Sequence, residues 1–290
     1  MNLWVVFCSG IVSALAGLTY KFRHKHRFPI DQLLVFFAGF FTLFTAFCLL
    51  IFGETLYTRW ALIFGVCSGL IQATVIRLMF TVTRRVKLNI SWTVIQFSVL
   101  IPFLLSVVLF REKPAPRTLI GVVCIFTSIP FFGLGKSKGQ SGPSIPDLTT
   151  GLLLFLCSIL TGVMFSIPKL YTHFEPGGGT FTLLLYNGLA MIPLTAVMFV
   201  RRRDVRSRIS LGFLTLSIYM ALTNVGAIAL LIIALLSIDG SVVYPLRTVV
   251  NILSIFFLTF VLFREKANLL EAAGAVIALT GLVLVSATMG

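Results

Sequence analysis

Acidic side chains are scarce in this sequence: nine Asp and Glu stand against 23 Lys and Arg in 290 residues, and 11% of the chain is charged at all. So thin a charged fraction cannot clothe one or two water-soluble domains, which excludes a cytosolic enzyme. The carboxylates (Asp31, Glu54, Glu112, Asp147, Glu175, Asp204, Asp239, Glu265 and Glu271) all fall in, or within a turn of, the polar breaks between apolar runs. Proton-coupled carriers of cations need an acid near the bilayer centre, so the absence of one argues against that class. Cysteine forms no framework either. Cys8, Cys48, Cys67, Cys124 and Cys157 are scattered through apolar runs without metal-ligand spacing, which excludes a disulfide scaffold and leaves packing as their role. His24, His26 and His173 lie in polar breaks with no Cys or Asp cluster, and Gly177-Gly178-Gly179 lacks the Lys-Ser/Thr ending of a phosphate loop. No metal, nucleotide or other cofactor is expected.

What is present is hydrocarbon: 58% of residues are hydrophobic and the mean hydropathy is +1.04. A membrane-crossing helix needs about 20 apolar residues. Ten runs approach that length, over residues 3–20, 33–53, 60–82, 90–110, 118–134, 148–170, 181–200, 211–236, 241–263 and 269–287. They do not alternate polar with apolar, so they read as helices rather than barrel strands. The expected fold is an all-α integral membrane bundle of ten transmembrane helices. The first run resembles a signal peptide at Ala14-Leu15-Ala16, but its basic residues (Lys21, Arg23, Lys25, Arg27) follow it instead of preceding it, so it is expected to remain as a span.

A Gly-, Pro- and Ser-rich linker at 136–147 divides the chain into residues 1–135 and 148–290. Val108-Leu109-Phe110-Arg111-Glu112-Lys113 recurs letter for letter as Val261-Leu262-Phe263-Arg264-Glu265-Lys266, and the same offset carries Gly121 onto Gly274. Cys8-Ser9 and Cys157-Ser158 match more weakly. Because each half holds an odd number of spans, the second must enter the membrane inverted relative to the first. Inverted repeats are a signature of secondary transporters. A fourth span with mid-helix Pro102, a Phe-Arg-Glu-Lys turn and a short fifth span opening near Gly121 resemble the EamA-type repeat of the drug/metabolite transporter superfamily. The ninth and tenth spans carry the pattern again, with Ile255 where the first copy has Pro102. The resemblance covers essentially the whole chain and implies two inverted five-helix repeats; it does not specify a substrate.

Basic residues are distributed unevenly. Loops after odd-numbered runs hold Lys21, Arg23, Lys25, Arg27, Arg84, Arg85, Lys87, Lys136, Lys138, Arg201, Arg202, Arg203, Arg206, Arg208, Arg264 and Lys266; loops after even-numbered runs hold Arg59, Arg111, Lys113, Arg117 and Lys169. Short Lys/Arg-rich loops stay in the cytoplasm, which predicts both termini on the outer face. The family resemblance implies the opposite placement.

Two cations remain inside runs. Arg77 lies roughly 10 Å and Arg247 roughly 9 Å from the nearer ends of their helices at 1.5 Å per residue. Each could snorkel to its interface. Arg247 shares its helix with Tyr244, Pro245 and Asn251, and a buried guanidinium without a carboxylate needs carbonyls, water or an anionic ligand. The mid-span amides are Gln72, Gln96, Asn187, Asn224 and Asn251, which either hydrogen-bond between helices or face a cavity. The candidate substrate-binding set is therefore Arg247, Tyr244, Asn224, Gln72, Arg77, Gln96, Asn187 and Asn251. Pro245 is the candidate gate hinge.

Together these features predict a multipass secondary transporter that moves a small organic solute by alternating access, and the intramembrane arginines point toward an anion. The alternatives are a non-transporting membrane scaffold or receptor and, behind it, a polytopic membrane enzyme, for which no acid/base constellation is visible. The expected partners are a small-molecule solute and the lipid bilayer, with no nucleic acid. A bacterial inner membrane is the expected location.

Overall fold

The computed structural model describes residues 3–26, 28–83, 85, 91, 94–134, 148–201, 210–263 and 269–286. The linker at 136–147, the second Arg-Glu-Lys copy at 264–266 and most of the 201–208 arginine cluster lie outside them. All elements among the described residues are helical: α1 (Leu3–His26), α2 (Ile30–Phe52), α3 (Arg59–Val82), α4 (Val94–Val108), α5 (Pro116–Leu134), α6 (Leu148–Phe174), α7 (Thr180–Arg201), α8 (Leu211–Leu235), α9 (Gly240–Phe263) and α10 (Leu269–Ser286). Seven of them (α1, α2, α3, α6, α7, α8 and α9) are long and apolar enough to cross a membrane. The apolar parts of α4, α5 and α10 are shorter, at Val94–Val108, Pro116–Phe131 and Ala272–Ser286.

The outward faces carry large apolar side chains: Phe47 is 60% exposed, Leu50 75%, Phe155 63% and Phe257 64%. A water-soluble bundle turns such residues inward, whereas lipid is their natural solvent. Helix α4 is interrupted by a 3₁₀ turn at Phe97–Val99. Pro102 has no N–H for the Ser98 carbonyl and its ring crowds that turn, so the backbone tightens there and Leu100 N–H bonds back to Phe97 and Ser98.

The principal packing runs between the halves. Helix α5 packs on α10, α2 on α7, α4 on α9, α1 on α8 and α9, α3 on α6 and α7, α2 on α8 and α4 on α6. Exchanging each helix of the first half with its counterpart five places on leaves this set unchanged. The α5–α10 seam is as tight as backbones allow: a Cβ at Gly121 would sit 2.8 Å from the Gly281 carbonyl oxygen, and one at Gly281 2.8 Å from that of Gly121. Only hydrogen fits at either position.

Two apolar clusters flank the centre. One joins Leu34, Phe37, Phe41, Ile76, Phe80, Leu184 and Phe213. The other joins Val6, Val99, Phe103, Ile125, Leu231, Tyr244 and Leu246. Cross-half caps close one end of the bundle. Gly53, at φ 63°, ends α2 in the left-handed region and turns the chain into Glu54, whose Oε2 accepts from the α7 amides of Phe181 (2.7 Å) and Thr182 (3.0 Å). Glu112 does the same for α9, accepting from Gly240 N (3.1 Å) and Ser241 N (2.7 Å) while its Oε1 lies 2.7 Å from Lys169 Nζ. Burial by itself raises the Glu112 carboxyl, but Lys169 and the Ser241 and Gly240 amides outweigh it and hold it below the ordinary glutamate range.

Candidate functional site

Between the two apolar clusters lies a cavity of about 120 Å³, well above the roughly 10–15 Å³ that one water requires. Its walls come from α1, α3, α4, α6, α8 and α9, so both halves contribute. It sits at mid-bundle and extends toward the end that carries Asp31. Tyr244 and Phe103 pack between it and the Glu112 end.

Arg247 is placed by position. It is the eighth residue of α9, so the helix carries it about 10 Å inward from the capped terminus at 1.5 Å per residue. Its residue is 6% exposed. The Nε donates to Ser9 Oγ (3.0 Å) and Nη2 to Ser13 Oγ (3.1 Å), both on α1, and the guanidinium carbon stands 4.9 Å from the centre of the Phe165 ring. Ser9 donates its own proton to the Ala227 carbonyl of α8 (2.9 Å). Arg77 pairs with Asp31 and Lys169 with Glu112, and neither pair reaches Arg247. Among the described residues the guanidinium therefore has a cation–π face and two hydroxyl acceptors but no counter-charge. Of its five N–H donors the two hydroxyls take two.

Four of the expected amides join it on the cavity wall: Gln72, Gln96, Asn224 and Asn251. Gln96 Nε2 donates to Asn251 Oδ1 (2.9 Å), tying α4 to α9, and Asn224 Nδ2 donates to the Met220 carbonyl (2.8 Å), which leaves its oxygen over. Gln72 Oε1 is buried without a hydrogen-bond partner. The remaining wall is largely apolar and soft, with Met79, Met164 and Met220 beside Ile76 and Ile95.

The other expected residues lie elsewhere. Arg77 is drawn to the bundle end, where it stands 3.6 Å from Asp31. Asn187 donates to Ser68 Oγ (2.8 Å) and joins α7 to α3. Tyr244 is 1% exposed and donates to the Phe165 carbonyl (2.9 Å), which braces the ring under Arg247 without touching the cavity. Pro245 is inside α9, two residues before Arg247. Residue-type reasoning missed Ser9, Ser13, Phe165 and Thr248, since serine and phenylalanine are ordinary in such helices. The available signal was the Cys8-Ser9/Cys157-Ser158 correspondence. Ser158 Oγ donates to the Val94 carbonyl (3.2 Å), and Val94 is the position equivalent to Arg247 under the hexapeptide offset. Ser9 meets a cation as well as a carbonyl, whereas Ser158 meets a carbonyl.

No family model matches the chain, and no curated protein matches it. Among solved structures 28 chains match. One crystal structure superposes with a TM-score of 0.75 over 97% of this chain and 98% of its own, at 13% identity. At that identity the likeness concerns the fold.

Proposed function

We propose that this chain is a secondary transporter of a small organic solute, built from ten spans as two inverted EamA-like five-helix repeats, and that Arg247 binds an anionic group on the solute. The observation that carries this reading is a buried guanidinium without a carboxylate, on the wall of a mid-bundle cavity shared by both halves. Secondary transporters bind at the midplane between repeats. The exchange symmetry of the helix packing supports the repeat, and the 16-residue stretch Pro116–Phe131 and its short partner helices can span if flanking residues snorkel or the bilayer thins locally.

Alternating access then means separating the contacts that close the Glu112 end while the Asp31 end packs shut. Glu112–Lys169 and the Glu54 cap are the polar contacts to be broken, and Pro245, which leaves the Ser241 carbonyl without its helical donor, is the hinge. A bacterial inner membrane is the proposed site of action, and no enzymatic step is assigned.

The test is uptake and counterflow in proteoliposomes with a panel of organic acids, sugar phosphates, amino acids and cations. Saturable flux of an anion that Arg247→Ala abolishes supports the reading. Wild-type affinity in Arg247→Ala discards the role of Arg247, and absence of flux for every class favours a scaffold or receptor.

A further inference from the structure

We propose that the cavity selects organic anions carrying a single negative charge on an otherwise uncharged, largely apolar body: monocarboxylates, including hydroxylated ones, in preference to dicarboxylates, phosphate monoesters and amino-acid zwitterions. This rests on the transport reading above and narrows it to a substrate class.

Among the described residues that line the cavity, Arg247 is the sole ionised side chain; the polar remainder, four hydroxyl side chains and the amides Gln72, Gln96, Asn224 and Asn251, is neutral. One buried cation neutralises one anionic group. A second carboxylate, or the second charge of a phosphate monoester, would enter the same desolvated space facing only amides, and an unpaired charge is the most costly group to bury. An α-ammonium fares no better, because no carboxylate lines the described wall and the guanidinium repels it.

Geometry also favours a planar group. Phe165 covers one face of the guanidinium and the α1 serines take Nε and part of Nη2, so a ligand meets the remaining in-plane N–H donors at the edge. In-plane, two-pronged recognition is the habit of arginine with carboxylate. Beyond the charged end the solute meets Met79, Met164, Met220, Ile76 and Ile95, surfaces that adapt to an aliphatic body. Asn224, whose amide nitrogen is bonded to the Met220 carbonyl, retains an unused oxygen that accepts from a hydroxyl substituent.

Matched pairs isolate each charge. Calorimetric titration of the purified full chain in detergent at neutral pH should bind hexanoate at least about tenfold more tightly than adipate or hexyl phosphate, and α-hydroxyisocaproate at least about tenfold more tightly than leucine, which differs from it by an ammonium in place of a hydroxyl. Arg247→Gln should lose both favoured ligands. Asn251→Asp should lose them too while leaving Arg247 in place: it is isosteric, keeps the oxygen that accepts from Gln96, and sets a carboxylate four residues from Arg247 on the same helix face. Equal binding within either pair overturns the selectivity, as does unchanged hexanoate binding in Asn251→Asp. A saturable solute that is zwitterionic or cationic, and carried equally by Arg247→Gln, also overturns it while leaving transport intact. Binding and flux of nothing in the panel overturns the transport reading itself.

Discussion

Arg247 and Ser9 form a relay across the interface between the halves: the guanidinium Nε donates to the Ser9 hydroxyl at 3.0 Å, and that hydroxyl donates onward to the Ala227 carbonyl at 2.9 Å. Three helices, α9, α1 and α8, are joined through one oxygen, and the charge they hold has no ion-pair partner among the described residues. This arrangement makes Arg247 costly to the fold.

Stability and function should therefore move in opposite directions at this position. Arg247→Leu removes a buried, unpaired charge, and apolar replacement of buried charge ranges from neutral to about 4 kcal/mol stabilising. Thermal melting in detergent should be unchanged or raised while anion uptake is lost. A large drop in melting temperature would show that the guanidinium is structural.

Ser9→Ala breaks the relay twice, leaving the Arg247 Nε and the Ala227 carbonyl without that partner. A cost of about 1–3 kcal/mol is expected. Ser13→Ala removes a single acceptor from Nη2 and should weaken binding less than Ser9→Ala does. Comparing solute Kd and melting temperature in the two variants checks the order.

Glu112 should act as a pH-dependent clamp. Its carboxyl is held below the ordinary glutamate value, so its stabilisation is complete above about pH 4.3 and is lost as pH falls through the lowered value. Glu112→Ala strands Lys169, whose side chain is 13% exposed, at a cost on the order of 3 kcal/mol. The melting difference between wild type and Glu112→Gln should be flat across neutral pH and shrink at more acidic pH. A difference that widens on acidification would reverse the assignment.

Gly281→Leu drives a side chain into the Gly121 carbonyl and the α5–α10 seam. Overpacking of this kind costs about 1–3 kcal/mol and more where backbone must move. Lower yield of folded protein and a lower melting temperature are expected, with little effect from the same change at Gly39, which has open space around its Cβ position.

Orientation is testable without a substrate. The distribution of basic residues predicts that the loops after odd-numbered helices face the cytoplasm. A cysteine introduced at Ser141 should react with an impermeant maleimide only after the cells are permeabilised, and a periplasm-active reporter fused at the N-terminus should be active. Labelling in intact cells would reverse the orientation.

Much of the bundle was legible because lipid imposes one rule everywhere. A run of apolar residues must satisfy its own backbone, so helix positions could be read one at a time, and α2, α3, α7 and α8 lie within a few residues of the runs that announced them. Among the described residues seven helices meet the length that crossing demands; the 3₁₀ turn within α4 was less visible, because Pro102 acts through the carbonyl of Ser98, four residues away. The site was legible in part. Arg247 and the four cavity amides stood out because polar side chains are costly in hydrocarbon wherever they fall. Arg77 and Asn187 stood out for the same reason, yet one is paired with Asp31 and the other with Ser68.

By itself, then, the sequence determined the medium, the helices, the repeated segment and the short list of groups expensive enough to require an explanation. Those are local properties, set by composition and by the cost of burying each residue. Tertiary structure alone decided which of those groups share a space. Whether a polar side chain is a cavity wall or an inter-helical bond depends on the partner that helix packing brings within about 3 Å, and for Arg247 that partner came from α1, more than 200 residues away in the chain. The result is one guanidinium held by two serines and a phenyl ring, with no ion-pair partner among the described residues.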